Sequence, residues 1–270
     1  MQAKELKCKI AGIGAWGSYF DSWEALQQLL GGEPLPETSN KGPKPTIIPA
    51  NERRRAPLPV RLAVESSWQA TQSAGIEPSA LTCVFVSGLG DTDLTDYMCK
   101  TLASEHKELS PTKFHNSVHN APAGYWTIST GTMSAANSVA GYEESVSLTL
   151  LEAMIQCSTE HKPMLITFYD SPVAEVLRPI LNNQETFAFS LVILPYNSET
   201  DGTTVEAQVA ENDHASWPML QSQSEYIGRL YSDNPSAKVL CLAELIAKSS
   251  GEQSVVMPLS KGSTMTITCT

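Results

Sequence analysis

Residues 110–154 read SPTKFHNSVHNAPAGYWTISTGTMSAANSVAGYEESVSLTLLEAM, and the order of breakers and apolar runs within them decides the fold. Ser117 to Thr130 carries no proline after Pro122 and is compatible with a short helix, ended by Gly131. Asn137 to Ala140 is short and reads as a strand. Glu144 to Cys157 then places Val146, Leu150, Leu151, Met154 and Ile155 on one side of a helix. The strand therefore turns through Ala140-Gly141-Tyr142 directly into a helix, and Glu143 stands at the helix start.

The flanking chain repeats this alternation. Upstream, Lys7 to Ile13 reads as a strand ending in glycines, and Asp21 or Ser22 offers an N-cap to a helix from Trp23 to Leu30. Seven prolines between residues 31 and 59 mark a long surface excursion. Val60, Val64, Trp68 and Thr71 then recur at helical spacing until Gly75 stops the helix. Thr82 to Val86 is a buried strand, and a polar helix covers Thr92 to Glu105. Downstream, Met164 to Tyr169 and Phe187 to Leu194 are buried strands. Asn234 to Lys248 is a helix, and Ser254–Leu259 with Thr264–Cys269 forms a last strand pair around Lys261-Gly262. Strands alternating with helices predict an α/β fold with a largely parallel sheet covered on both faces.

Composition excludes several classes of function. Lys and Arg number 18 against 29 Asp and Glu, a net charge of −11, which argues against a nucleic-acid partner. Arg53-Arg54-Arg55 is a short basic cluster among prolines and reads as a solvated loop. No apolar run is long enough to span a membrane and the first residues do not resemble a secretory signal, so a cytoplasmic protein is expected. The six cysteines form no CxxC pair and read as free thiols, three or four of them on buried faces. No metal site is expected: His115 and His119 are four apart but lack a third ligand.

Gly12-x-Gly14-x-x-Gly17 follows a strand, as a dinucleotide fingerprint does. A fingerprint, however, starts its helix inside the glycine run so that the pyrophosphate meets the helix N-terminus. Here Trp16 stands inside the motif and Tyr19-Phe20 follow it, so no cofactor is expected.

The stretch 110–154 resembles the β-ketoacyl synthase (thiolase-like) family in its most characteristic segment. Ser110-Pro111, Asn120, Gly124, Thr127-Ile128 and Gly131 fall into the family frame without a gap, followed by the strand Ser138-Val139-Ala140. The nucleophile elbow reads Ala140-Gly141-Tyr142-Glu143-Glu144-Ser145, so Glu143 occupies the position of the nucleophilic cysteine. The resemblance reaches back to Ile10–Gly14 and Ser22–Leu26 and forward to Ala188–Ile193, about residues 7–195. It implies one domain over 1–270, a thiolase-like half-fold with a five-stranded mixed sheet between helices. The synthase's second half would be missing, with residues 196–270 a divergent addition. The wording FHNSVHNAPAGYW is similar to truncated synthase-like proteins of bacterial aryl polyene pathways.

The departures from the family decide the expected function. Condensation needs a thiolate at the elbow. The positive end of the helix should favour a carboxylate at Glu143, and such a carboxylate is a poor nucleophile. The plain reading of Glu143 is a helix-start acid worth about 0.5 kcal/mol; the sharper one is a functional mimic, since some non-condensing members carry Gln there. Nothing after residue 195 matches the family's second-half histidine motifs, and His214 stands alone. No catalytic residue is therefore assigned.

The resemblance implies a non-condensing subunit, a chain-length or stability factor in type II polyketide or polyene synthesis. It would form a heterodimer with a full-length, cysteine-bearing β-ketoacyl synthase, on which acyl carrier protein would mainly dock. The family dimerises through this strand and helical segment, which assigns Val118, Trp126, Ile128, Asn137, Ser138, Val139 and Ala140 to the interface. Lys113 and Phe114 would reach the partner's acyl tunnel. Two other classes remain in view. One is an acyl-thioester decarboxylase or hydrolase with Glu143 as general base, which would need an apolar pocket. The other is a free-standing carrier-protein binder, disfavoured because two acidic surfaces repel.

Overall fold

A computed structural model describes residues 6–212, 216–248 and 251–270, so His214 lies outside the described residues. In chain order the elements are β1 (Leu6–Gly17), α1 (Trp23–Leu30), α2 (Ala50–Arg53), α3 (Leu58–Ala74), β2 (Thr82–Val86), α4 (Thr92–Ala103), α5 (Pro111–His115) and α6 (Ala121–Thr130). They continue with β3 (Ala136–Val139), α7 (Glu144–Glu160), β4 (Met164–Asp170), β5 (Phe187–Pro195), β6 (Thr203–Asn212), α8 (Glu225–Asp233), α9 (Leu240–Ala247), β7 (Gln253–Ser260) and β8 (Gly262–Cys269). Single 3-10 turns lie at Pro78–Ala80, Glu175–Leu177 and Pro235–Val239.

The strands form one sheet in the order β3-β2-β4-β5-β1-β6-β8-β7. The five strands expected from the sequence stand side by side at one end, but the sheet has eight strands, not five. β6 adds to the free edge of β1, from Leu6 opposite Ala207 to Ile10 opposite Thr203. The β7–β8 hairpin extends it further. The sheet is mixed, as expected, but not largely parallel. Among the described residues only β2 makes parallel pairs, with β3 and β4; the other pairings are antiparallel. The parallel pairs need the long crossovers through α4–α6 and α7, whereas β1 lies between β5 and β6 and runs antiparallel to both.

β4 shows how the core divides. All seven of its residues are buried. Met164, Ile166 and Phe168 face one cluster, with Val146, Leu150, Met154 and Phe189. Leu165 and Tyr169 face the other, with Leu62, Val64, Phe85 and Trp126. Period-two alternation with both faces apolar is what a strand between two helical layers requires. α3 and α6 cover the second face; α1, α7, α8 and α9 cover the first. Beyond β1 the second face is solvated, and β8 turns Thr266 and Thr268 outward while Met265, Ile267 and Cys269 are buried.

The predicted start of α1 holds: Ser22 caps it, its side chain accepting from the Ala25 amide at 3.2 Å. Gly75 ends α3 with φ +63. The helix expected over Asn234–Lys248 is instead the 3-10 turn Pro235–Val239 followed by α9, because Asn234 caps a proline-led turn, accepting from the Ala237 amide at 3.1 Å. The six cysteines are free and five of them are buried, more than the three or four expected.

The glycines of the GxGxxG run lie inside β1, with no helix at their end. They let α3 settle on the strand backbone: a Cβ on Gly14 would stand 2.1 Å from the Ser66 carbonyl oxygen, and one on Gly12 2.2 Å from that of Ala70. A backbone oxygen of a packed helix cannot step aside as a side-chain tip can. Gly14→Ala is expected to cost about 3 kcal/mol through overpacking, read as a lower urea midpoint with an unchanged m-value. An unaltered midpoint would refute this role.

Candidate functional site

The ends of β2, β3 and β4 open on the same side of the sheet, and the elbow lies there. β3 runs into Ala140 and Gly141; Tyr142 then takes φ +53 and Glu143 takes φ −65, ψ −36, already helical. A left-handed tyrosine costs about 1 kcal/mol and is held here by Ser145, whose hydroxyl donates to the Tyr142 carbonyl. The sequence placed Glu143 at the helix start, and the structure agrees. It differs on the environment. Glu143 is not a solvated acid: its Oε1 lies 3.1 Å from Lys238 Nζ, with side-chain exposures of 30% for Glu143 and 8% for Lys238.

Lys238 belongs to the Pro235–Val239 turn, in the segment for which the sequence offered no counterpart. Its ammonium also donates to the Tyr231 carbonyl at 2.8 Å and sits 4.8 Å from the Tyr231 ring centre. Beside it, Asp170 ends β4 fully buried. Asp170 Oδ1 accepts from Ser87 Oγ (2.6 Å) and the Leu89 amide (3.0 Å). Its Oδ2 accepts from the Gly88 amide (3.2 Å) and from the amide (3.2 Å) and hydroxyl (2.7 Å) of Ser236. Burial raises the Asp170 carboxyl above the ordinary aspartate range, against the pull of these five donors. Gly88 gives room for this convergence, since a Cβ there would stand 2.5 Å from Pro235 Cβ and 3.3 Å from Tyr142 Cα.

Neither Lys238 nor Asp170 was singled out from the sequence. Each carried a signal: Asp170 closes the apolar run MLITFY, and Lys238 is the one cation inside PSAKVLCLA.

The residues expected at a partner interface divide. Lys113 and Phe114 lie on α5, both exposed, with Lys113 Nζ 3.5 Å from the centre of the Tyr97 ring. Val118, Ile128, Asn137 and Ala140 are exposed, and Ser138 and Val139 are half-buried on β3. β3 is an edge strand, bonded to β2 on one side only. Trp126 is a correction: it is 0% exposed, on the face of α6 that packs against Phe85 and the sheet, while Ile128 points outward at 82%. On a helix, two positions apart are about 200° apart, so both cannot share the outer face.

His119 Nε2 is 3.1 Å from the Val139 carbonyl, tying the α5–α6 turn to the edge strand. A cleft of about 400 Å³ opens between α4 and this turn, walled by Leu94, Met98, Leu102, Val118 and Pro122. Glu143 does not line it. Among the described residues no three His, Cys, Asp or Glu side chains are grouped to hold a metal, and no helix is long and apolar enough to cross a membrane.

Comparison with known proteins agrees with this fold. The profile of the β-ketoacyl synthase N-terminal domain matches residues 22–243. No curated protein sequence matches the chain significantly. Among solved structures, a chain of the ketosynthase (ApeO) in complex with its chain length factor (ApeC) from Xenorhabdus doucetiae aligns with TM-score 0.70 and 16% identity. The match covers 97% of this chain and 99% of that one. A chain of the ishigamide ketosynthase/chain length factor gives 0.71 at 11% identity, over 97% and 99%. A chain of the AntDE:AntF complex, described as a type II polyketide synthase acyl carrier protein with its ketosynthase bound to the hexaketide, gives 0.76 at 11%, over 99% of both.

The fold is the thiolase-like fold of ketosynthases. The chain belongs to the β-ketoacyl synthase family, through its N-terminal domain.

Proposed function

We propose that this protein is a non-condensing ketosynthase-like subunit, a chain-length or stability factor that pairs with a cysteine-bearing β-ketoacyl synthase. The carrying observation is the elbow itself. Where a condensing enzyme needs a thiolate, this chain has a carboxylate already engaged by a nearly buried ammonium 3.1 Å away. The bare edge of β3 and the exposed apolar side chains beside it give such a partner somewhere to bind. Solved structures of ketosynthases with chain length factors that share this fold support the pairing. A neighbour with a carrier protein in its complex supports a carrier that docks mainly on the synthase. An aryl polyene or related type II pathway in the cytoplasm fits this reading, with the chain acting as one domain.

A decarboxylase or hydrolase using Glu143 as general base has less support. A base must face a substrate cavity with its carboxylate free to take a proton, and Glu143 instead faces Lys238.

The test is acyl transfer. Incubated with an acyl-carrier thioester, the isolated protein is expected to show no stoichiometric adduct by intact mass, whereas a co-expressed synthase acquires one. Among its thiols, Cys99 is exposed and the other five are buried. An acyl group on Glu143, or a full equivalent on any cysteine, would refute the non-condensing role.

A further inference from the structure

We infer that Glu143 is the anchor of an electrostatic lock that ties the turn Pro235–Val239 to the elbow, so that Glu143 and Lys238 work as one unit. This stands whether or not a synthase binds.

Six consecutive residues, Asn234 to Val239, are buried. Ala237 and Val239 join the apolar core, but the polar groups buried with them must each be met. Asn234 Nδ2 donates to Asn183 Oδ1 at 3.2 Å, and Ser236 donates twice to Asp170. These bonds account for the first half of the turn. The second half carries Lys238, whose ammonium is the costliest group to bury. A backbone carbonyl and the face of Tyr231 satisfy its protons, but neither cancels its charge. Glu143 supplies the opposite charge in this contact, and it does so from the position where condensing relatives need a thiol.

An uncharged side chain at the elbow would therefore leave a buried ammonium unpaired, which is far worse than having no ammonium there. The two residues should be interchangeable only together. The carboxylate also stands at the start of the 17-residue helix α7, whose positive end adds to the attraction.

Two measurements test the lock. In hydrogen exchange, Glu143→Ala is expected to raise the opening of Asn234–Leu240 amides at least tenfold, and the Glu143→Ala/Lys238→Met pair to recover most of that protection. Glu143→Gln, which keeps an acceptor but no charge, should fall between and covers the case in which the alanine variant folds poorly. Equal, additive losses in the single and double variants, or unchanged exchange in Glu143→Ala, would overturn the lock.

The second measurement uses Glu143→Cys in a Cys99→Ser background, since Cys99 is the exposed thiol. If Lys238 demands an anion, the new cysteine must supply it as thiolate. Its alkylation by iodoacetamide should then rise with pH at a midpoint below the ordinary thiol range of about 8.5. Adding Lys238→Met should return that midpoint to the ordinary range, which a merely structural lysine would not do. The same profile in both variants would show that no charge coupling exists at the elbow.

Discussion

Asp170→Asn is expected to lower the unfolding free energy by about 2–4 kcal/mol, the largest stability loss of any isosteric change at the site. Two effects oppose each other. Neutralising a fully buried carboxylate relieves the desolvation that raises its pKa, so a purely electrostatic account predicts a gain. The hydrogen-bond account predicts a loss. Oδ1 accepts from the Leu89 amide, and Oδ2 from the amides of Gly88 and Ser236. Whichever way an asparagine is turned, its NH₂ faces at least one backbone N–H that cannot rotate away, although the hydroxyls of Ser87 and Ser236 can. Two donors meeting head-on, with a buried amide left unsatisfied, outweigh the relief from a charge already met by five donors. Urea unfolding at pH 7 decides between them, and a higher midpoint for Asp170→Asn would reject the clamp.

The pH dependence carries a definite sign. A carboxyl raised in the folded state contributes stability that is present below the unfolded aspartate pKa and lost as pH rises through the raised value. The asparagine variant lacks this term. The advantage of the wild-type protein over Asp170→Asn should therefore be widest below the unfolded aspartate pKa of about 3.9 and narrow as pH rises toward the raised folded value.

What the sequence could show depended on whether a residue's partner was close in the chain. Ser22, Gly75 and the elbow turn obey local rules, and the structure has them where those rules put them. β2 and the first helix match to the residue, β2 because it is a short apolar run and α1 because Ser22 caps its start and Gly31 follows its end. β6 escaped notice because it is half solvated: of TTVEAQVAEN only Val205 and Ala207 are buried, too few to stand out from a loop. The parallel sheet was inferred from alternation alone, yet the direction of β5 is set by where its connections lead. Glu143 was legible as a position but not as an ion pair, because Lys238 is 95 residues away and joins it only once the turn folds over the sheet end. Trp126 was misassigned for a related reason: residues that are apolar and near an expected interface look alike until the helix phase is known.

Ile128→Asp is expected to abolish association with the synthase partner while leaving the isolated subunit folded. Ile128 is 82% exposed on α6, so a charge there costs the monomer little, within about 0.5 kcal/mol. The same charge pressed into an apolar contact would lose its water without gaining a counterion, at several kcal/mol, or roughly 100-fold or more in affinity. Val139→Asp is a poorer probe, since Val139 is half-buried and packs against the core, so fold and contact would fail together. The surface also exposes Val118 and Met133 (97%), Phe114 (60%) on α5, and the outer edge of β3. An obligate partner covering this face would bury about 2,000 Å² or more. Backbone pairing along β3 would set its register, and the apolar side chains would provide the affinity. Phe114 sits on α5, away from the strand, so Phe114→Ala should keep the complex and alter the lengths of the products formed. Co-expressed subunits passed over a gel-filtration column give the answer. If Ile128→Asp still elutes with the synthase at the wild-type position, the heterodimer does not use the β3–α6 face, and Phe114 has no tunnel to shape.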